Sequence, residues 1–191
     1  WIWQNPCKAP GPTAWASKRR VQVNSGWEPI YYFTNDPQAC FADNRRILKP
    51  HTDRHAKFIG AGGAATAAVF ADGANRRRVG AFSAPTAGTI PRNVLTVRHN
   101  CPSQTALRAW AKANGIPLHS ATMPLEIAEQ IVRFATEPGQ LVVDPFGGWA
   151  TSALAAERNG RRWIITERMR AFLHAAQWRM LSTVDSSDED V

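Results

Sequence analysis

From residue 123 to residue 181 the apolar positions switch repeatedly between a helical and a strand period. Residues 123–135 place Ile127, Ile131 and Phe134 on one stripe and Glu126 and Glu129 on the solvent side, which predicts a helix. Pro138-Gly139 ends it and leads into Leu141-Val142-Val143, three apolar residues that predict a buried strand. Residues 151–159 predict a second helix, stopped at Gly160 in a C-cap position. A second strand at 163–166 and a third helix at 169–181 follow. This alternation is the order of a parallel α/β sheet.

The front of the chain is patterned differently. Trp1 to Gln4 is a short apolar strand broken by Asn5-Pro6, and residues 5–26, rich in Pro, Gly, Ser and basic residues, read as a loop. Residues 27–34 (WEPIYYFT) are dense in aromatic and β-branched residues and predict a buried strand, ended by Asn35-Asp36-Pro37. Residues 36–100 have weak periodicity. Gly60-Ala61-Gly62-Gly63-Ala64-Ala65 within them reads as a flexible loop or linker; a phosphate cradle would need a following Lys-Ser/Thr and a strong strand before it. A short strand at 93–97 and a short helix at 103–115 complete the pattern, and residues 185–190 form an acidic, disordered end.

Charge sharpens this division. The formal net charge is +8. Residues 1–120 hold 16 Lys/Arg against 5 Asp/Glu, a surplus of +11, while residues 121–191 hold 7 against 10, or −3. Basic residues cluster at Arg45-Arg46, Lys49, His51, Arg54, His55 and Lys57, and again at Arg76-Arg77-Arg78. A polyanionic partner suits that distribution better than a merely solubilising surface.

Length and composition set the remaining bounds. At 191 residues there is room for one domain with its own core and an inserted subdomain. No apolar run approaches a membrane span and no signal peptide is visible, so a soluble, cytoplasmic protein is expected. With no initiator Met and an opening inside a strand pattern, the sequence reads as a piece of a longer protein. Cys7, Cys40 and Cys101 are odd in number and unpaired in spacing, which argues for a reducing compartment and against a disulfide frame or zinc knuckle. His51 and His55 would share a helix face, and His99 lies near Cys101, but neither pair has the further ligands a metal needs; surface histidines are expected and no metal site.

The chemistry concentrates in Leu141-Val142-Val143-Asp144-Pro145-Phe146-Gly147-Gly148-Trp149-Ala150-Thr151. A strand ends in an acid, a glycine turn follows, and a helix opens, as in a nucleotide-type cofactor site. Glycines let the backbone approach a ligand and the helix start offers unpaired N–H groups. About twenty residues on, the second strand also ends in an acid, Glu167, placed to accept hydrogen bonds from ribose hydroxyls.

The run from His119-Ser120-Ala121-Thr122-Met123-Pro124 through Asp144-Pro145-Phe146-Gly147-Gly148 to Glu167 resembles the C-terminal half of a β-class DNA amino-methyltransferase. That family modifies adenine N6 or cytosine N4 using S-adenosylmethionine. At the front, Trp1-Ile2-Trp3-Gln4-Asn5-Pro6 resembles its Trp-x-Lys-x-Asn-Pro segment, and Trp27-Glu28-Pro29-Ile30 its His/Trp-Glu-x-Ile strand. The resemblance implies an α/β fold: a Rossmann-like S-adenosylmethionine-dependent methyltransferase sheet, incomplete at the N-terminus, with an inserted target-recognition region. Its parts would be core strands in 1–35, a basic recognition insert in 36–100, the cofactor-binding part in 101–181 and an acidic tail in 182–191. His119, Ser120 and Met123 would line the methionine end of the cofactor. Asp144, Phe146, Gly148 and Thr151 would hold its amino-acid and sugar portions, and Glu167 its ribose. Arg45, Arg46, Lys49, Arg54, Arg76, Arg77 and Arg78 would contact double-stranded DNA, on phosphates or bases.

Three departures from the family pattern carry weight. Phe-x-Gly-x-Gly reads Phe146-Gly147-Gly148-Trp149-Ala150, with Trp for a small residue and Ala for the second glycine. If that glycine position needs positive φ the methyl group is costly; alternatively Trp149 points outward and Ala150 is tolerated at a helix start. His-Pro-Ala reads His119-Ser120-Ala121, a milder change. The catalytic Asp/Asn/Ser-Pro-Pro-Tyr/Phe/Trp motif does not occur; Asn5-Pro6-Cys7-Lys8 begins like it but lacks the second proline and the aromatic. The expectation is therefore a methyltransferase fragment, inactive alone, whose partner is the missing N-terminal catalytic portion or a homodimer mate. The rival is a degenerate, non-catalytic DNA-binding module on the same fold.

Overall fold

The structure is a computed structural model and describes residues 1–6, 26–70, 73, 75–99 and 101–184. Most of the 5–26 loop, Cys7 and the 185–190 acidic end therefore lie outside the described residues. The chain divides into two units: Trp1–Asp43 with Arg92–Val191, and Asn44–Pro91.

The first unit contains β1 (Ile2–Gln4), β2 (Trp27–Pro29), β5 (Val94–Thr96), β6 (Leu141–Asp144) and β7 (Arg162–Ile165). Its helices are α2 (Pro102–Ala113), α3 (Leu125–Ala135), α4 (Thr151–Arg158) and α5 (Arg170–Val184). β1 pairs antiparallel with β2 and parallel with β5, in the order β2-β1-β5. β6 and β7 form a separate parallel pair with Leu141 opposite Arg162 and Asp144 opposite Ile165, so the α/β alternation read from the sequence is present.

One face of β6–β7 is helix-covered. Leu154 and Ala155 of α4 meet Leu125, Ala128 and Val132 of α3, and Val142 packs on that cluster. Ala153, Ala155 and Ala156 are fully buried, because side chains this small let the helix lie close against its neighbours. The other face carries Leu141, Val143 and Ile164, all exposed. The strand expected to be buried is thus only half-buried among the described residues: the helices packed on this pair all lie on one side of it. A buried arginine clips the C-terminal ends of α3 and α4 together: Arg161 Nε donates to Thr136 Oγ1 at 3.1 Å and Nη1 to the Asn159 carbonyl.

Residues 27–34 do not form the long buried strand their composition predicts. Only Trp27–Pro29 is strand, it is exposed throughout, and Tyr31 and Phe33 are exposed as well. Pro29 brings no N–H to a ladder, and β2 finds a partner on one side alone. Tyr32 meets Phe134 edge-on at 5.9 Å, and Tyr31 and Phe33 face each other at 6.2 Å.

In the second unit a 3-10 turn (Asn44–Ile47) precedes α1 (Asp53–Gly60) and the hairpin β3 (Ala68–Val69) with β4 (Arg76–Arg77). Weak periodicity hid α1. Its signal was the Thr52 N-cap, whose hydroxyl accepts the His55 N–H at 3.3 Å. His51 lies before the helix, its ring nitrogens within 2.9 Å of the Thr86 and Thr89 hydroxyls. The glycine-rich 60–65 stretch is a seated turn: Gly63 is buried, with Ala81 O where a Cβ would project.

Candidate functional site

The acids that end β6 and β7 bracket the glycine turn. Asp144 Oδ1 accepts the Phe146 N–H at 2.9 Å, and Oδ2 accepts the Ser152 hydroxyl at 2.5 Å. One carboxylate thereby ties the start of the turn to the first turn of α4. Glu167 Oε2 accepts the Gly148 N–H at 2.9 Å, and Oε1 the Met169 N–H at 2.8 Å. Those N–H groups, the Met169 one first, hold the Glu167 carboxyl below its ordinary value, so it is ionised at neutral pH. The backbone joins the two strand ends as well: Gly147 N–H donates to Thr166 O at 2.8 Å and Thr166 N–H to Asp144 O at 3.0 Å.

Both glycines are needed by geometry. A Cβ on Gly147 would lie 2.8 Å from Ile165 Cβ. Gly148 has φ +52, and a Cβ there would stand 3.0 Å from His119 Nε2. Ala150 is fully buried in a left-handed conformation, φ 58 and ψ 35, so this position does take the backbone a glycine supplies freely. Trp149 is 2% exposed and points inward, packed with Leu107, Ala111 and Ala175. Of the two readings left open, the strained one holds for Ala150, and the outward Trp149 is wrong. The left-handed Ala150 reverses the chain just after Trp149, where an apolar slot between α2 and α5 receives the ring.

His119 sits between Trp149 and Phe172, with ring centroids 6.0 and 4.9 Å away. Its Nδ1 accepts the Ala121 N–H at 3.2 Å, which leaves the proton of the neutral ring on Nε2. Burial pushes its pKa down, partly opposed by the Glu167 carboxylate. The structure thus brings His119, Gly148 and Glu167 together, with Asp144 at the base of the same turn.

The remaining expected residues fall nearby or elsewhere. Phe146, 87% exposed, lines a cavity of about 580 Å³ with Pro145, Thr166, Glu167 and Arg168. Ser120 and Met123 line another, of about 530 Å³, with Trp3, Glu28, His99 and Thr122. Thr151 departs from its expected place. It is buried, and its hydroxyl accepts from Arg179 Nη1 at 2.8 Å, so its side chain faces the protein interior. Arg45, Arg46, Lys49, Arg54, Arg76, Arg77 and Arg78 all fall within the Asn44–Pro91 unit. Arg76 and Arg78 are exposed, and Arg77 is half-buried with Nη2 3.5 Å from Thr66 Oγ1.

Two supporting residues escaped the sequence reading. Arg179 is 1% exposed; it donates to Trp149 O at 2.9 Å and Ser103 Oγ at 3.0 Å, and burial lowers its pKa to about 10. Gln104 donates to Met123 O at 2.6 Å and so fixes the 119–124 segment to α2. Both act over long sequence separations, and no local pattern marks them.

A strand–acid–glycine turn–helix unit with a second acid on the adjacent parallel strand defines a Rossmann-like cofactor-binding protein. Comparison with known proteins narrows the class. A family profile described as DNA methylase matches residues 1–177. The type II methyltransferase M.PvuII of Proteus hauseri is 33% identical over 190 residues, 98% of this chain and 55% of the relative. The structure of the PvuII DNA methyltransferase (cytosine-N4-specific) superposes with a TM-score of 0.63 at 26% identity, covering 94% of this chain and 49% of that one. The M1.HpyAVI–SAM complex matches 33% of this chain at 30% identity, with a TM-score of 0.32. The chain belongs to the DNA methylase family and has the S-adenosylmethionine-dependent methyltransferase fold. It spans about half the length of the M.PvuII relative.

Proposed function

We propose that the protein is the cofactor-binding and target-recognition part of a site-specific DNA methyltransferase. The complete enzyme transfers the methyl group of S-adenosylmethionine to an exocyclic amine, adenine N6 or cytosine N4, in double-stranded DNA. Cytosine N4 is the first target to test, since that is the specificity named for the PvuII enzyme. The observation that carries this reading is the grip of Glu167 on Gly148, with Asp144 beneath the same turn.

The residues present fit the cofactor. Glu167 borders the cavity beside Phe146, and a carboxylate on a strand end is the acceptor that ribose hydroxyls require. Asp144 and Gly148 shape the turn around the sugar and amino-acid portions. Thr151 contributes through its main chain at the start of α4. His119, Ser120 and Met123 border the methionine end. When bound, S-adenosylmethionine supplies the electrophilic methyl group; these residues hold and orient it, which is most of what a direct transfer to a positioned amine demands.

Seven of the basic residues of the second unit, Arg45, Arg46, Lys49, Arg54 and Arg76 to Arg78, hold the DNA, chiefly through phosphates. The sequence has no Asp/Asn/Ser-Pro-Pro-aromatic motif, so residues 1–191 alone lack the group that receives the target amine and have no transfer activity. That group comes from an N-terminal catalytic portion or a homodimer mate, acting in the cytoplasm of a bacterial or phage-infected cell. Among the described residues no helix is long and apolar enough to cross a membrane. The inward turn of Trp149 removes one motive for the rival reading of a degenerate module, because its bulk occupies the core. Titration of S-adenosylmethionine separates the two: micromolar binding that weakens in Asp144→Ala and Glu167→Ala supports the enzyme part. DNA binding with no cofactor response supports the module.

A further inference from the structure

One residue of the second unit is strained without being buried. Phe82 has φ 64, one of two non-glycine residues in the left-handed region among the described residues. It is the third residue of a turn closed by the Ser83 N–H on Gly80 O at 3.2 Å, a position where positive φ ordinarily calls for glycine. A bulky side chain there is a marked outlier. Burial does not offset the strain, since Phe82 is 71% exposed.

The surrounding backbone holds the turn in place. Ala64 N–H donates to Ala81 O at 2.9 Å, and Gly80 N–H donates back to Ala64 O at 2.8 Å. Beneath it Gly63 is buried, and a Cβ on it would lie 2.4 Å from Ala81 O and 2.9 Å from Ser83 N. The turn is therefore seated on a backbone that leaves no room for a side chain, and it projects an aromatic ring outward. Arg78 O accepts the Ala81 N–H at 3.1 Å, so the three arginines 76–78 run directly into it. Residues 44–91 carry 8 Lys/Arg against 2 Asp/Glu, a net +6.

Strain on an exposed aromatic, maintained by a fixed turn, points to a contact outside the protein. The charge around it selects a polyanion, and an apolar wedge beside arginines is the combination that enters a duplex between base pairs. We propose that Phe82 inserts into double-stranded DNA at a base step and unstacks it, while the neighbouring arginines hold the phosphates. This rests on the DNA-binding part of the proposed function and adds a residue to it.

The test compares binding of the full chain to a duplex with one abasic site and to the intact duplex of the same sequence. A ready-made gap spares the unstacking cost, so the wild type should prefer the abasic duplex by at least roughly tenfold. Phe82→Gly relieves the strained φ and preserves the turn, and Phe82→Ala shortens the side chain alone. Both should bring the ratio close to one while the salt dependence on intact duplex stays as in the wild type. Thermal stability should hold in the Ala variant and hold or rise in the Gly variant, whose backbone strain is relieved. Phe82→Trp should keep the preference. An unchanged ratio in the Gly and Ala variants, or no preference in the wild type, overturns the wedge while leaving salt-dependent DNA binding intact. Failure of the wild type to bind either duplex overturns the DNA reading itself, and the wedge with it.

Discussion

Glu167, just past β7, accepts the Gly148 N–H that follows β6, at 2.9 Å. A carboxylate just beyond one strand thus fixes the glycine turn of its neighbour, across 19 residues of sequence. In Glu167→Ala the Gly148 amide loses its partner and should exchange with solvent faster, while amides of the α3–α4 core keep their protection. Amide exchange by mass spectrometry over residues 144–152 reads this directly. Unchanged exchange there would mean the bond does not hold the turn.

Ala150 combines complete burial with φ 58. Replacing it by Gly removes about 1–2 kcal/mol of left-handed strain and gives up a buried methyl worth about 1 kcal/mol. The expected balance is unchanged or slightly raised stability, up to about 1 kcal/mol, by urea denaturation. A loss greater than about 1 kcal/mol would show that the methyl's packing outweighs the strain.

Trp149→Ala should cost about 3–5 kcal/mol, because the indole fills the slot between Leu107, Ala111 and Ala175. Trp149→Phe should cost less. A small effect of the alanine substitution on the denaturation midpoint would place the ring outside the core.

Thr151→Val should destabilise by about 1–3 kcal/mol, since the buried Arg179 loses an acceptor at 2.8 Å. Cofactor affinity should hardly change, because that hydroxyl faces Arg179. Calorimetric titration next to thermal melting distinguishes this from a side-chain contact to the cofactor, which would weaken binding as well.

His119 is depressed below its ordinary 6.5 by burial, and Glu167 below 4.5 by backbone N–H groups. For both, the unfolded chain takes up a proton before the folded one does as pH falls. The His119 contribution is present above about pH 6.5 and lost as pH drops through its lower folded value. The Glu167 contribution is lost below about pH 4.5 in the same sense. Thermal midpoints should therefore decline from pH 7 to pH 5, and His119→Asn should flatten that part of the profile. An equal slope in the variant would assign it to another group.

The β6–turn–α4–β7 unit was legible because its signals are local: apolar runs, an acid at each strand end and glycines between. α3 was legible from its period, with Pro124 as its N-cap. β2 was misjudged because aromatic density predicts burial only where a neighbour arrives to cover it. The direction of Trp149 depends on the φ of Ala150, which residue identity alone leaves open. Arg179 pairs with Ser103 across 76 residues, and side-chain pairing at that separation leaves no mark on periodicity.

Titration of S-adenosylmethionine into the full chain, alongside Asp144→Ala and Glu167→Ala, tests the cofactor site most directly. The expected result is saturable micromolar binding by the wild type, weakened at least roughly tenfold by each substitution. No binding by the wild type, or equal binding by all three proteins, would contradict a cofactor held at the Asp144–Gly148–Glu167 turn.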